Sequence, residues 1–265
     1  MAQELAATRA RLEQVEHDSK ALLTLASATP QPTLFVEGVT DAKVIETAWA
    51  VFFPGEPIPV KVLSAGGTME MGSLAGKGKA LREVLGERVV LVLADNDAEG
   101  RRLTPSEDGH LRKGGRWRLL PNGIHWCLLR PTAAFMALMK AHEVPETHWP
   151  FTVEAAFAPA LRRQALAAGA YNFSGNLQAE LFDNPHVARR LVALMPRLSQ
   201  EDDAYWYLMA PHPDLKEAFA AWVTAPKQRT EENYAAFEEI IRGLRAVLGP
   251  RSENSEPAAR ARGAA

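Results

Sequence analysis

The chain has very little cysteine: Cys127 is the single one among 265 residues. That excludes a disulfide framework and every zinc site built from paired cysteines, and a reducing compartment is expected. Long hydrophobic runs are missing too. No stretch approaches the ~20 apolar residues that cross a bilayer. The first residues lack the charged-then-apolar pattern of a signal peptide, so a cytoplasmic location is expected and a membrane partner is not. No charge of one sign dominates. A net charge of -2 leaves nucleic-acid binding to be judged from local patches. No internal repeat is present. A hydrophobic content of 47% and a charged content of 23% belong to a globular chain.

What is present is a pair of acidic clusters, each following a short apolar run. Leu34-Phe35-Val36 leads into Glu37-Gly38-Val39-Thr40-Asp41, and Val89-Val90-Leu91-Val92-Leu93 leads into Ala94-Asp95-Asn96-Asp97-Ala98-Glu99-Gly100. Such runs read as buried parallel strands. Carboxylates at their ends define a site at the carboxyl edge of an open α/β sheet. Carboxylates gathered there repel one another unless a cation joins them, and hard oxygen donors suit Mg²⁺ or Mn²⁺.

The order of elements supports that layout. Residues 3–27 read as an N-terminal helix with an imperfect leucine stripe, a plausible dimer element within a segment 1–29. Strand Thr33–Val36, a helix over 40–52, strand Val60–Leu63, the turn Ser64-Ala65-Gly66-Gly67-Thr68, a helix over 69–85 and strand Val89–Leu93 follow. This β-α-β-α-β order implies a parallel sheet with right-handed crossovers. Pro121-Asn122-Gly123 between two strand-like runs predicts a hairpin. From Ala133 the pattern is helical, over roughly 133–142, 152–168, 176–195, 201–209, 213–223 and 230–248. Residues 250–265 read as a disordered tail.

The spacing Glu37-Gly-x-x-Asp41 and Asp95-x-Asp97-x-Glu99-Gly100, each after a strand and with the glycine turn between them, resembles the Toprim signature. That domain is shared by type IA and II topoisomerases, bacterial primases, small nucleases, RecR-type repair proteins and OLD-family (overcoming lysogenization defect) nucleases. The resemblance covers about residues 33–130. It implies a Rossmann-like Toprim sheet over 30–132, with an inserted basic hairpin, ahead of a helical region over 133–249. It also implies that Glu37 serves proton transfer and metal binding, that Asp95 and Asp97 bind divalent metal, and that Asp41 is a further ligand. Glu99 completes the Asp-x-Asp-x-Glu form. From the residues alone, Asp41 reads equally as the cap of its helix.

Within that family, the four tyrosines Tyr171, Tyr205, Tyr207 and Tyr234 all fall in the helical region, no winged-helix sequence is apparent, and the cysteine clusters of primases and RecR-type proteins are missing. A metal-dependent nuclease of OLD-like type is the remaining expectation, acting on DNA or RNA. A non-catalytic nucleic-acid-binding or regulatory subunit, and a topoisomerase- or primase-like fragment, are the alternatives. Trp149-Pro150-Phe151-Thr152-Val153-Glu154 resembles the segment that supplies a later acidic ligand in OLD-like chains, which makes Glu154 a candidate; it reads equally as a first-turn helix glutamate. The downstream lysine of those enzymes has Asn176 in the most similar stretch, Phe173–Glu180, so Lys216 or an arginine must supply that charge if the site is complete. No P-loop occurs, since Ala75-Gly76-Lys77-Gly78-Lys79 lacks its spacing and hydroxyl. An ATPase partner, which the resemblance and a phage-defence role imply, would be a separate chain. Arg101, Arg102, Arg112, Lys113, Arg116 and Arg118, with Trp117, form a basic segment expected to hold a phosphate backbone; Lys77 and Lys79 extend it. The bland reading is a solvated hairpin whose arginines pair with Glu107 and Asp108.

Overall fold

The computed structural model describes residues 31–67, 71, 88–104, 114–178, 181 and 185–249. The expected N-terminal helix, the helix over 69–85, the tail, and Lys77, Lys79, Glu107, Asp108, Arg112 and Lys113 lie outside the described residues.

Strands β1 (Thr33–Val36), β2 (Lys61–Ser64), β3 (Val90–Ala94) and β5 (Ile124–Leu128) run parallel, and β4 (Arg118–Leu119) closes one edge antiparallel to β5, in the order β2-β1-β3-β5-β4. Alternation along each strand sorts side chains onto two faces. Leu34, Val36, Leu91, Leu93, Cys127 and Leu129 pack on one face. Phe35, Val90, Val92, Ala94, Trp126 and Leu128 pack on the other. With both faces covered, the central strands are apolar throughout, which is why they are plain in the sequence. The fold is therefore α/β, a mostly parallel, Rossmann-like sheet flanked by helices, with a mainly helical C-terminal region.

Helix α1 (Val39–Phe52) buries Val44, Ile45, Ala48, Trp49 and Phe52, an i, i+1, i+4, i+5, i+8 stripe. Helix α2 (Ala98–Leu103) follows β3. The C-terminal region holds α3 (Ala133–Ala141), α4 (Val153–Ala156), α5 (Pro159–Ala167), β6 (Phe173–Leu177), α6 (Pro185–Leu194), α7 (Asp203–Leu208), β7 (Met209–Pro211), α8 (Lys216–Val223) and α9 (Glu238–Leu248). Both α8 and α9 pack on α1. The core on this face is continuous from Leu34 to Leu244 and rich in edge-to-face aromatic pairs, such as Phe157 with Phe219 and Tyr234.

The helical expectation needs three corrections. The stretch 152–168 breaks at Phe157-Ala158, because Pro159 has no N–H to continue α4 and instead starts α5. The segment 173–177, whose residues 176 and 177 are expected to open a helix over 176–195, is a strand paired antiparallel with β7, bulged where Gly175 takes a φ of 86°, and among the described residues the helix spans Pro185–Leu194. The last helix begins at Glu238 rather than near 230; turns and a short 3₁₀ segment precede it, and the Tyr234 hydroxyl donates to Val223 O at 2.9 Å.

Gly100 stands in α2 where a Cβ would lie 2.0 Å from the Asp95 carbonyl oxygen. A methyl there forces α2 away from the end of β3. Gly100→Ala is predicted to cost about 1–3 kcal/mol, read as a lowered melting temperature, although alanine is the better helix former.

Candidate metal centre

The ends of β1 and β3 lie side by side, with Phe35 opposite Val92, so Glu37 and Asp95 leave the sheet as neighbours. The backbone around Glu37 is pinned: Ala65 N donates to Val36 O at 2.7 Å, and the Ser64 hydroxyl donates to Glu37 O at 3.2 Å. Asp41 sits in the first turn of α1, where one carboxylate oxygen accepts from Gly38 N at 2.8 Å. Asp97 is the N-cap of α2, accepting from Gly100 N at 2.7 Å. Asp41 is instead the third residue of its helix, reaching back to the N-cap Gly38, and that bond also fixes its carboxylate against the others.

The helical region supplies the rest. Asn96 forms an isolated antiparallel bridge with Phe151, its N–H donating to Phe151 O at 2.8 Å. That bridge carries the chain directly into α4, whose first turn presents the buried Glu154. Lys216, the first residue of α8, places its ammonium 3.6 Å from Glu154 Oε1.

Electrostatics tie these groups together. Asp41 is pushed up to about 7 by burial and then by Glu154 and Glu37, against the opposing Gly38 N–H and Lys216. Asp95 is held well above the usual carboxylate range by burial and then by Asp41, Glu37, Asp97 and Glu154. Asp97 is raised by burial, with the Gly100 N–H and Arg101 opposing. The Lys216 ammonium is favoured above its ordinary range, first by Glu154 and then by Asp95, Asp41 and Glu37, against its own burial. Five carboxylates, Glu37, Asp41, Asp95, Asp97 and Glu154, and the Lys216 ammonium therefore share one field.

A narrow cavity among them is lined by Glu37, Asp41 and Asp95, with Val36, Leu93 and Val153 on its apolar wall; about 10 Å³ of it admits a water-sized sphere. That is room for a single small particle. The donors are all carboxylate oxygens and fit a hard divalent ion in chemistry. They are not drawn into a finished coordination shell: among the described residues no group of three or more His, Cys, Asp or Glu is arranged to hold a metal.

Other expected residues go elsewhere. Glu99 turns outward and pairs with the exposed Arg102 at 3.2 Å, so it leaves the metal set. Arg101, expected on nucleic acid, is buried instead. Its guanidinium donates to the carbonyls of Asn96, Glu146 and Trp149 and to Asn96 Oδ1, which anchors the 146–149 segment beneath the site. Trp117 docks on α9, its Nε1 donating to Ile240 O at 2.9 Å, rather than standing free to stack on a base. Arg116 remains 79% exposed and pairs with Glu239, 3.6 Å away, and Arg118 is half-buried on β4. Asn176 is exposed on β6. Asn96 drew no attention in the sequence, although its side chain also donates to Leu129 O at 2.8 Å and locks the turn between Asp95 and Asp97. Lys216, one of the cations the sequence offers for the missing charge, also carries a local signal: a lysine opening an apolar helix stands against the helix dipole and needs nearby anions to offset it.

No family model, no curated protein and no solved structure matches the chain.

The raised carboxylates fix the sign of a pH effect. Between the ordinary 3.8 and about 7, Asp41 holds its proton in the folded state and loses it in the unfolded one. Stability therefore declines as pH rises through that window, and Asp95 and Asp97 act in the same direction. In chelator, the melting temperature is predicted to fall from pH 5 to pH 8, and Mn²⁺ is predicted to raise it more at pH 8 than at pH 5. A melting temperature that rises over this range without metal contradicts the assignment.

Proposed function

We propose that this chain is a divalent-metal-dependent nuclease of Toprim type, hydrolysing or nicking phosphodiester bonds in DNA or RNA. The observation that carries the reading is the meeting of Lys216 and Glu154 with Glu37, Asp41 and Asp95. Two residues from the C-terminal region thereby supply the later acid and the cation that an OLD-like site calls for, with Lys216 taking the place that Asn176 does not fill. Mg²⁺ or Mn²⁺ held by Glu37, Asp41, Asp95 and Glu154 would supply Lewis acidity and a lowered pKa for bound water. Asp97 orients α2 through its cap and adds negative charge. In this reading Glu37, which lines the acidic cavity with Asp41 and Asp95, is the residue that passes a proton at the sheet edge. The Lys216 ammonium offers a positive charge toward the phosphoryl oxygens of a strand lying over the acids. A separate ATPase, a defence role, a homodimer through the N-terminal segment and a cytoplasmic setting belong to the same proposal. No described helix is long and apolar enough to cross a membrane.

A second reading, a non-catalytic nucleic-acid-binding or regulatory subunit, is favoured by the lack of a preformed three-ligand group among the described residues. It predicts nucleic-acid binding in calorimetry that neither metal nor alanine at Glu37 or Asp95 alters.

Under the leading reading, Glu37→Ala and Asp95→Ala abolish Mn²⁺-dependent cleavage. Lys216→Ala lowers kcat by about 10²–10³, the size of losing one charge-stabilising donor, and Lys216→Arg recovers part of it. Asn176→Ala cleaves as the parent does. Absence of cleavage across Mg²⁺, Mn²⁺, DNA and RNA, with and without a candidate ATPase partner, sinks the nuclease reading.

A further inference from the structure

A second cavity borders the 95–97 turn through Asn96. It measures about 450 Å³ and is lined by Arg116, Arg118 and Arg130 and by Pro131, Met136 and Trp149. Asn96 lines it too, while the neighbouring Asp95 lines the small acidic cavity. The two spaces therefore share one turn of backbone.

Charge and shape in this cavity differ from those of the acidic site. Four arginines line it against two glutamates, Glu146 and Glu239. Arg101 is spent on backbone carbonyls and forms a rigid floor. Arg130 and Arg116 both pair with the single carboxylate of Glu239. One carboxylate between two guanidiniums holds them together and leaves an excess of donors, since each guanidinium carries five N–H groups in a planar fork. Trp149 is locked by its own Nε1, which donates to Val144 O at 2.9 Å, so the apolar wall is as fixed as the floor. The volume exceeds what inorganic phosphate needs and falls in the range of small-molecule sites.

We propose that this cavity binds a nucleotide, with its phosphate on Arg116, Arg118 and Arg130 and its base against Pro131, Met136 and Trp149. Arginine forks suit phosphate oxygens bidentately, and an apolar wall accepts the face of any base. The nucleotide has two sources. It is a free nucleoside phosphate, or one residue of a single strand that continues from the acidic edge. Nothing in this cavity depends on the acidic site holding a metal.

The test is binding by the full chain in chelator and low salt, with AMP, ADP and a short fluorescent single-stranded DNA as probes. Saturable binding of AMP or ADP assigns a free nucleotide; binding of the oligonucleotide alone assigns a strand. In either case Arg116→Glu, at a side chain exposed enough to leave folding intact, weakens binding at least about tenfold, as expected for a lost charge-assisted contact. Glu239→Gln removes the competing carboxylate and holds or raises affinity. No saturable binding of any probe, wild-type affinity in Arg116→Glu, or a matching loss in Glu239→Gln overturns the proposal. Because metal is omitted, cleavage plays no part, and nucleotide binding and nuclease activity stand or fall separately.

Discussion

Repulsion among carboxylates withdrawn from water at one sheet edge is the constraint on which the rest of this structure depends. Burial raises Asp41 and Asp95 first; Glu154 and Glu37 then raise Asp41, and Asp41 and Glu37 raise Asp95 further. Such a cluster persists only where the surrounding fold over-determines it. Here the devices are identifiable: the Gly38 N–H on Asp41, the Gly100 N–H on Asp97, the Asn96–Phe151 bridge, and the Lys216 ammonium facing Glu154. Each either opposes the repulsion or stops the backbone from relaxing it.

These devices join parts of the chain that are distant in sequence. The acidic motifs follow β1 and β3, whereas Glu154 and Lys216 open α4 and α8. Arg101 is the internal brace, a buried cation that satisfies carbonyls on both sides of the junction. The C-terminal region thereby contributes to the candidate site. Its core is continuous with one face of the sheet, so displacing α8 would alter the field over the acids as well as the packing.

Much of this was legible in the sequence, for physical reasons. Thr33–Val36 and the β3 run are apolar on both faces, so periodicity and composition agree, and the Asn122-Gly123 turn fixes the hairpin between β4 and β5. The pairing of β6 with β7 was not legible. Ser174 and Gly175 carry no strand signal and Asn176 reads as the start of a helix, and their partner strand lies more than 30 residues on, with Ser174 Oγ reaching Ala210 O. Arg101 was misread because an arginine beside other basic residues signals a wet surface, while its burial depends on carbonyls near residue 148 that no local pattern reveals. Glu99 and Asp97 show the same limit. Spacing identifies carboxylates near a strand end, but whether one faces the cavity, the helix cap or an arginine is decided by backbone geometry.

The central claim is that this acidic edge is a divalent-cation site whose protons must leave for the ion to enter. Calorimetric titration of Mn²⁺ into the chain at pH 6.5, repeated in buffers of different ionisation heat, measures the ion and the protons together. The account predicts saturable binding with release of about one proton or more per ion, as ligand deprotonation requires, and loss of both in Asp95→Ala. Absence of Mn²⁺ binding, or binding with no proton release, would contradict it.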